Sequence, residues 1–191
     1  MNENYPKKKT LPDDTEIEIR LMSAEDRDAI LTFAQNLHAD DLMFLRIDIS
    51  QPEVVDQWIV HLDKGDSVSL VAYDDDGLIG YATVHRTEAR WTRNIGELRV
   101  NVSQDYRGKG LGRHLTSEIF AVANGLGLRK LTASMISDQK GAQAAFRRLG
   151  FVTEAMLADY VDDMNGAPRD LIIMTHDIGG HSDTIGGTLQ L

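Results

Sequence analysis

The sequence predicts a single α+β domain, and three observations predict it. Two apolar runs flank an Asp-Gly turn in the front half, which reads as a β-hairpin. The back half alternates strand-like and amphipathic helical runs in the order β-α-β-α-β. The 191 residues suffice for one sizeable core, and no repeat or internal linker divides them. Residues 1–14, polar with three lysines and two prolines, read as a disordered arm. Residues 15–178 form the expected domain, and residues 179–191, glycine-rich with little to bury, a disordered tail.

Each element follows from a local pattern. Glu16 to Leu21 alternates polar and apolar residues, as a half-buried strand does. Ser23 precedes an acidic first turn and then Ile30, Phe33, Ala34 and Leu37 at helical spacing, so a helix starts there. Val54, Trp58, His61 and Leu62 mark a second helix after Pro52. The hairpin joins Val68–Tyr73 to Leu78–Val84 through Asp74-Asp75-Asp76-Gly77. A third strand runs from Gly96 to Val102, with Leu98, Val100 and Val102 on one face and Glu97, Arg99 and Asn101 on the other. Leu111, Leu115, Ile119 and Val122 give an amphipathic helix that ends near Gly125 or Gly127. Lys130–Ile136 is a strand, and Ala142, Ala145, Phe146 and Leu149 mark a helix stopped by Gly150. Phe151-Val152 and Asp170–Met174 supply short closing strands, the second after an Asn165-Gly166 turn.

Bulk composition excludes several functions. There is no cysteine, hence no disulfide framework and no thiolate nucleophile or metal ligand. A formal charge of −10 repels nucleic-acid phosphate and favours cationic partners such as amines. The apolar runs are too short to cross a bilayer, and the N-terminus has no signal-peptide core, so no membrane role and a cytoplasmic location are expected. The six histidines show no metal-ligand spacing, so no metal is expected.

One stretch carries chemistry. The strand ending at Val102 runs through Asp105-Tyr106-Arg107-Gly108-Lys109-Gly110-Leu111-Gly112-Arg113 directly into a helix. Three glycines in five positions permit close backbone approach, and the free amides of a helix start attract anions. Arg107, Lys109 and Arg113 add positive charge in an otherwise acidic chain. Together these make a diphosphate cradle. A Walker loop is absent, and arginine at 113 breaks the dinucleotide fingerprint. A serine hydrolase would need a Gly-x-Ser-x-Gly elbow, which is also missing.

The pattern Arg107-x-x-Gly110-x-Gly112, with Val-x-Val before it and Arg148-Leu149-Gly150-Phe151 later, resembles the GNAT superfamily of N-acetyltransferases over about residues 16–177. The resemblance implies a mixed, mostly antiparallel sheet flanked by helices, whose splayed central strands form an acyl-CoA cleft. It implies acetyl-CoA as co-substrate, held by Val100, Asn101, Val102, Arg107, Gly108, Lys109, Gly110, Leu111, Gly112 and Arg113, with a backbone N–H near Val102 polarising the thioester. Gln139 stands where an asparagine is usual and is a further coenzyme-binding candidate, able to hydrogen-bond the pantetheine, and Phe146 stands where a tyrosine serves as general acid. Tyr160 is a replacement acid candidate beside solvent water. Glu97 is the candidate base, although it could equally pair with Arg99. Met43, Phe44, Leu45, His85 and Trp91 either border the acceptor pocket or serve structure. The implied activity is acetyl transfer to a primary amine of a small molecule or protein, by direct attack. A non-catalytic acyl-CoA-binding module is the alternative, and the oligomeric state stays open, a homodimer included.

Overall fold

Asp74 explains the central hairpin at the atomic level. In the computed structural model, which describes residues 4–38, 41–42, 45, 47–86 and 89–178, its Oδ1 accepts from the amides of Asp76 and Gly77 at 2.9 and 3.0 Å. That turn joins strand β3 (Ser67–Tyr73) to β4 (Leu78–Arg86), and β5 (Ile95–Val102) pairs antiparallel with β4. Before them come β1 (Lys7–Thr10) and β2 (Glu16–Leu21); after them come β6 (Lys130–Ile136), β7 (Val152–Asp162) and β8 (Pro168–Asp177). The eight strands form one sheet in the order β1-β2-β3-β4-β5-β6-β8-β7. Only β5 and β6 pair in parallel. The sheet is therefore mixed and mostly antiparallel, as expected.

Helices cover both faces. On one, helix α3 (Leu111–Asn124) buries Leu111, Leu115, Ile119 and Ala123 against Leu70, Ala82, Val84 and Leu98. Each fully buried Leu or Ile contributes about 1.5–3 kcal/mol. Helix α4 (Lys140–Arg148) adds Phe146, whose ring meets Phe151 edge-on at 5.0 Å. On the other face, α1 (Arg27–Gln35) and α2 (Pro52–Lys64) pack Ile30, Phe33, Val55 and Trp58 on Val71 and Tyr81. The α1 entry is fixed by Asp26, 1% exposed, which accepts from the Ser23 amide, the Tyr73 hydroxyl and Arg20. Burial alone would raise the Asp26 pKa, but those donors, Arg20 foremost, hold it below the ordinary carboxylate value.

Two sequence expectations change. The segment read as a mobile arm carries β1, and Leu11 is in the core at 2% exposure. Tyr5, Lys7 and Lys9 converge on Glu118 of α3 at 3.1, 2.6 and 3.5 Å. A polar strand whose stabilising partner lies 111 residues away leaves no local signal. The short closing strands are in fact a long hairpin, β7 with β8. Its outer strand exposes Val152, Met156 and Tyr160, so no clean apolar alternation marks it. Residues 179–191, read as a tail, lie outside the described residues.

Candidate active site

The parallel ladder between β5 and β6 is three pairs long: Ile95 with Lys130, Gly96 with Leu131 and Glu97 with Thr132. Beyond Glu97 the strands part, although β5 continues to Val102 and β6 to Ile136. This is the expected splay. Which backbone groups face the opening follows from one bond, the Ser103 amide donating to the Ile79 carbonyl across β4 at 2.9 Å. Backbone polar groups alternate between strand edges, so residues 99, 101 and 103 face β4. Leu98, Val100 and Val102 therefore turn their amides and carbonyls towards the notch.

Beyond the notch, the chain makes a short 3-10 turn at Gln104–Tyr106 and then the glycine turn. Gly108 and Gly110 adopt φ of 77° and 93°, which L side chains rarely take. A Cβ at Gly110 would also lie 3.4 Å from Cδ of Pro12, whereas one at Gly112 would meet only Val102 at 3.6 Å. Lys109 N–H donates to the Tyr106 carbonyl, and the amides of Arg113 and His114 donate to Gly110. The amides of Gly108, Gly110, Leu111 and Gly112 have no backbone acceptor among the described residues. Amides left free at a helix start are the kind of donor an anion uses.

The cationic side chains are less free than the sequence implied. Arg107 pairs with Asp41 at 2.6 Å, and Lys109 pairs with Asp13 at 3.1 Å while lying over the Tyr106 ring. The Tyr106 hydroxyl donates to Asp74. Arg113 lines a groove of about 230 Å³ between α3 and α4, with His114, Ser117, Ala145, Arg148 and Leu149. Burial first, then Arg113 and Lys9, lower the His114 pKa. Arg148 was legible only as part of the Leu-Gly-Phe ending; its place opposite Arg113 needed the packing of two helices.

On the opposite face of β5, His85, Thr83 and Tyr81 of β4 stand across from Glu97, Arg99 and Asn101. Glu97 accepts from Nη2 of Arg99 at 2.6 Å, so the pairing weighed from the sequence is present. Asn101 bonds the buried Tyr81 hydroxyl, whose pKa burial raises. Its backbone is aimed at β4 as well, away from the notch. A depression beside this pair is lined by Leu45, Ile47, Ile49, Trp58, Tyr81, His85 and Arg99. Trp58 is held there by its Nε1–H donating to Ser69, which in turn bonds Thr83 at 2.8 Å. Leu45 and His85 thus border this depression, Trp91 is 89% exposed, and Met43 and Phe44 lie outside the described residues.

Tyr160 is not brought to this site. It lies on β7, with β8 inserted between β7 and β6, and is 64% exposed. Two interstrand spacings, about 10 Å, separate it laterally from β6. Phe146 is in the core and has no proton to give. Gln139 precedes α4, and its Oε1 accepts from the Ile136 amide at 3.2 Å, which ties it to the end of β6. Among the described residues no group of three or more His, Asp or Glu could hold a metal. None of the described helices is long and apolar enough to cross a membrane.

Known proteins share this arrangement. The acetyltransferase (GNAT) family model matches residues 31–151. The Bacillus subtilis (strain 168) protein named "Putative phosphinothricin acetyltransferase YwnH" is 24% identical over 164 residues, covering 84% of this chain and 98% of its own. The mycothiol acetyltransferase of Streptomyces coelicolor is 36% identical over 84 residues, 44% of this chain and 26% of that protein. Among solved structures, a GNAT acetyltransferase of Streptococcus pneumoniae superposes with a TM-score of 0.76 at 20% identity, covering 85% of this chain and 99% of that one. The yncA structure of Salmonella typhimurium, which carries its cofactor acetyl-CoA, superposes with a TM-score of 0.73 at 22% identity, covering 87% and 96%. The splayed parallel pair, the glycine turn and the family match over residues 31–151 agree, and the chain belongs to the GNAT acetyltransferase family.

Proposed function

We propose that this acetyltransferase moves an acetyl group from acetyl-CoA to a primary amine by direct attack, with Glu97 as the proton acceptor. The observation that carries the reading is the end of the β5–β6 ladder at Glu97. It leaves a row of backbone groups, without a strand partner among the described residues, leading to the amides of Gly108 to Gly112. These residues fit a coenzyme: the amides suit the pyrophosphate, Val100 and Val102 offer strand-like bonds to an amide-bearing arm, and Arg113 and Arg148 border the adjoining groove. When bound, acetyl-CoA supplies an activated thioester. An arm anchored at the glycine turn extends along β5 towards its earlier residues. The amide left for the carbonyl oxygen is then that of Leu98, where the notch closes, rather than one near Val102.

Glu97 lies at that same vertex. An alkyl ammonium with a pKa of about 10.4 must lose a proton at a cost of about 4.6 kcal/mol at pH 7. A carboxylate within hydrogen-bond reach, directly or through one water, lowers that barrier. Glu97 must exchange Arg99 for the amine to do so. Neither Tyr160 nor Phe146 is placed to protonate the departing thiolate; a thiol pKa of about 8.5 makes the thiolate a tolerable leaving group, with water as proton source. The acceptor arrives over the face covered by α1 and α2, where the depression beside Arg99 opens. Thiol release in a screen of acetyl-CoA against amines, polyamines and peptides tests the reading. Binding of acetyl-CoA without thiol release for any amine would refute it.

A further inference from the structure

The acceptor side of the notch carries a charge pattern that narrows the substrate class. Glu97 and Arg99 are two residues apart on one face of β5, about 7 Å along the strand. Nη2 of Arg99 donates to Glu97 at 2.6 Å. Nε of the same guanidinium is buried and has no hydrogen-bond partner among the described residues. A buried donor left unsatisfied is costly, and on an arginine the cost is that of a charged group. This donor belongs to a side chain lining a depression whose other described walls are mostly apolar: Leu45, Ile47, Ile49, Trp58 and Tyr81. The enclosed part measures about 20 Å³, room for one water-sized group such as a single oxygen.

We propose that the acceptor is an amino-acid-like zwitterion, a small primary amine with a carboxylate or similar oxyanion close to the nitrogen. Arg99 holds the anion through Nε while Glu97 faces the amine. This rests on the reading of Glu97 as the residue that meets the acceptor. One exchange serves both members of the pair: the Glu97–Arg99 contact opens, the ammonium takes the place of Arg99 at Glu97, and the oxyanion takes the place of Glu97 at Arg99. Each member of the pair keeps a charge-assisted partner, and Nε gains its acceptor. Other acceptor classes fit worse. A polyamine would present further positive charge to Arg99. A purely anionic compound meets the field of a chain with formal charge −10. A lysine side chain within a protein has no carboxylate near its amine. A zwitterion is neutral overall and matches both members of the pair.

The test uses matched sets: alanine, leucine and methionine, the primary amide of each, and the amine left when each carboxylate is removed. Thiol release from acetyl-CoA gives kcat/KM for every compound. Calorimetric titration of the same compounds, with coenzyme A present, reads binding without turnover. For at least one set, the amino acid should exceed its amide and its amine at least tenfold in kcat/KM and in affinity. Arg99→Gln should shrink that advantage to threefold or less, and the melting temperature of the variant reports whether it folds. Amides or amines that serve as well as the amino acids overturn the proposal in the wild-type protein alone, whatever the variant does. Equal loss for all three compounds in Arg99→Gln overturns it too. Failure of the transferase reading itself looks different: acetyl-CoA raises the melting temperature, yet no compound of any kind releases thiol. That outcome overturns both.

Discussion

Replacing Gly110 with alanine separates the fold's need for this glycine from the ligand's. The residue has φ of 93° and ψ of −8°, and an added Cβ would lie 3.4 Å from Cδ and 3.7 Å from Cγ of Pro12. An L residue in left-handed backbone costs roughly 1–2 kcal/mol. This φ lies beyond the centre of that well, and the Pro12 contact adds a little, so a total near 2 kcal/mol is expected. For a protein of this size, 2 kcal/mol lowers the melting temperature by about 4–8 °C. If the turn flips to relieve the strain, its amides leave the anion position. Each lost bond to a charged group costs about 1.5–3 kcal/mol, so acetyl-CoA binding should weaken by about 10- to 150-fold. Thermal unfolding with and without acetyl-CoA, backed by calorimetry, reads both effects. Gly112→Ala is the control for stability: its Cβ would meet Val102 at an ordinary 3.6 Å, and alanine gains up to about 1 kcal/mol in a helix. A Gly110→Ala protein that melts within 1 °C of wild type and binds acetyl-CoA unchanged would refute the cradle.

The remaining expectations address the base, the cradle's cations and the α1 anchor. Glu97→Gln should lower kcat/KM at neutral pH by about 10²–10⁴. Its residual rate should climb with pH as free amine accumulates, so full turnover at pH 7 would remove Glu97 from the mechanism. Asp13→Asn releases Lys109 from its carboxylate partner and should tighten acetyl-CoA binding by about two- to fivefold, the scale of an exposed pair. Weaker binding in calorimetry would contradict that. Asp26→Asn removes the partner of Arg20 and an acceptor for Tyr73, and should cost about 2–3 kcal/mol in urea unfolding. Because the folded pKa of Asp26 lies below its ordinary value, this stabilisation is complete above about pH 4 and fades as pH falls through the folded pKa. Wild type and Asp26→Asn should therefore converge in stability under strong acid and diverge at neutral pH.

What the sequence disclosed, and what it hid, divides along physical lines. The glycine turn was legible because its chemistry is that of the backbone: Gly108 and Gly110 declare positive φ, and a following apolar period declares the helix whose amides lie free. The position of Glu97 on a polar strand face was legible for the same reason, since side chains alternate. Arg99 shared that face and was noticed only as a neutralising neighbour of Glu97. The depression that Arg99 lines is built with Leu45, Ile47, Ile49 and Trp58, from far back in the chain, and the burial of its Nε has no local signal. Tyr160 was misjudged because chain order does not announce that β8 inserts between β6 and β7. The aim of the Asn101 backbone at β4 was not legible, because pattern alone does not say which edge of a strand faces a partner.

The carboxylates beside the cradle bear on how it would hold a diphosphate. The side chains of Arg107 and Lys109 are 48% and 42% exposed, and each is already paired. Pairs of this kind are worth about 0–1 kcal/mol. Exchanging Asp41 or Asp13 for a phosphate oxygen replaces one anion with another at the same cation, so the side chains add little net attraction. The larger gain would fall to the amides of Gly108, Gly110, Leu111 and Gly112, which have no backbone partner among the described residues to give up, and to the α3 dipole behind them. Affinity carried by amides and a helix end at close range is screened less than affinity carried by exposed cations more than a Debye length away, about 8 Å at physiological salt. Binding of acetyl-CoA should then fall only gently between low and physiological salt, and it is the geometry of the turn, more than the count of basic residues in Arg107-Gly108-Lys109, that would make an acidic protein a place for a phosphate.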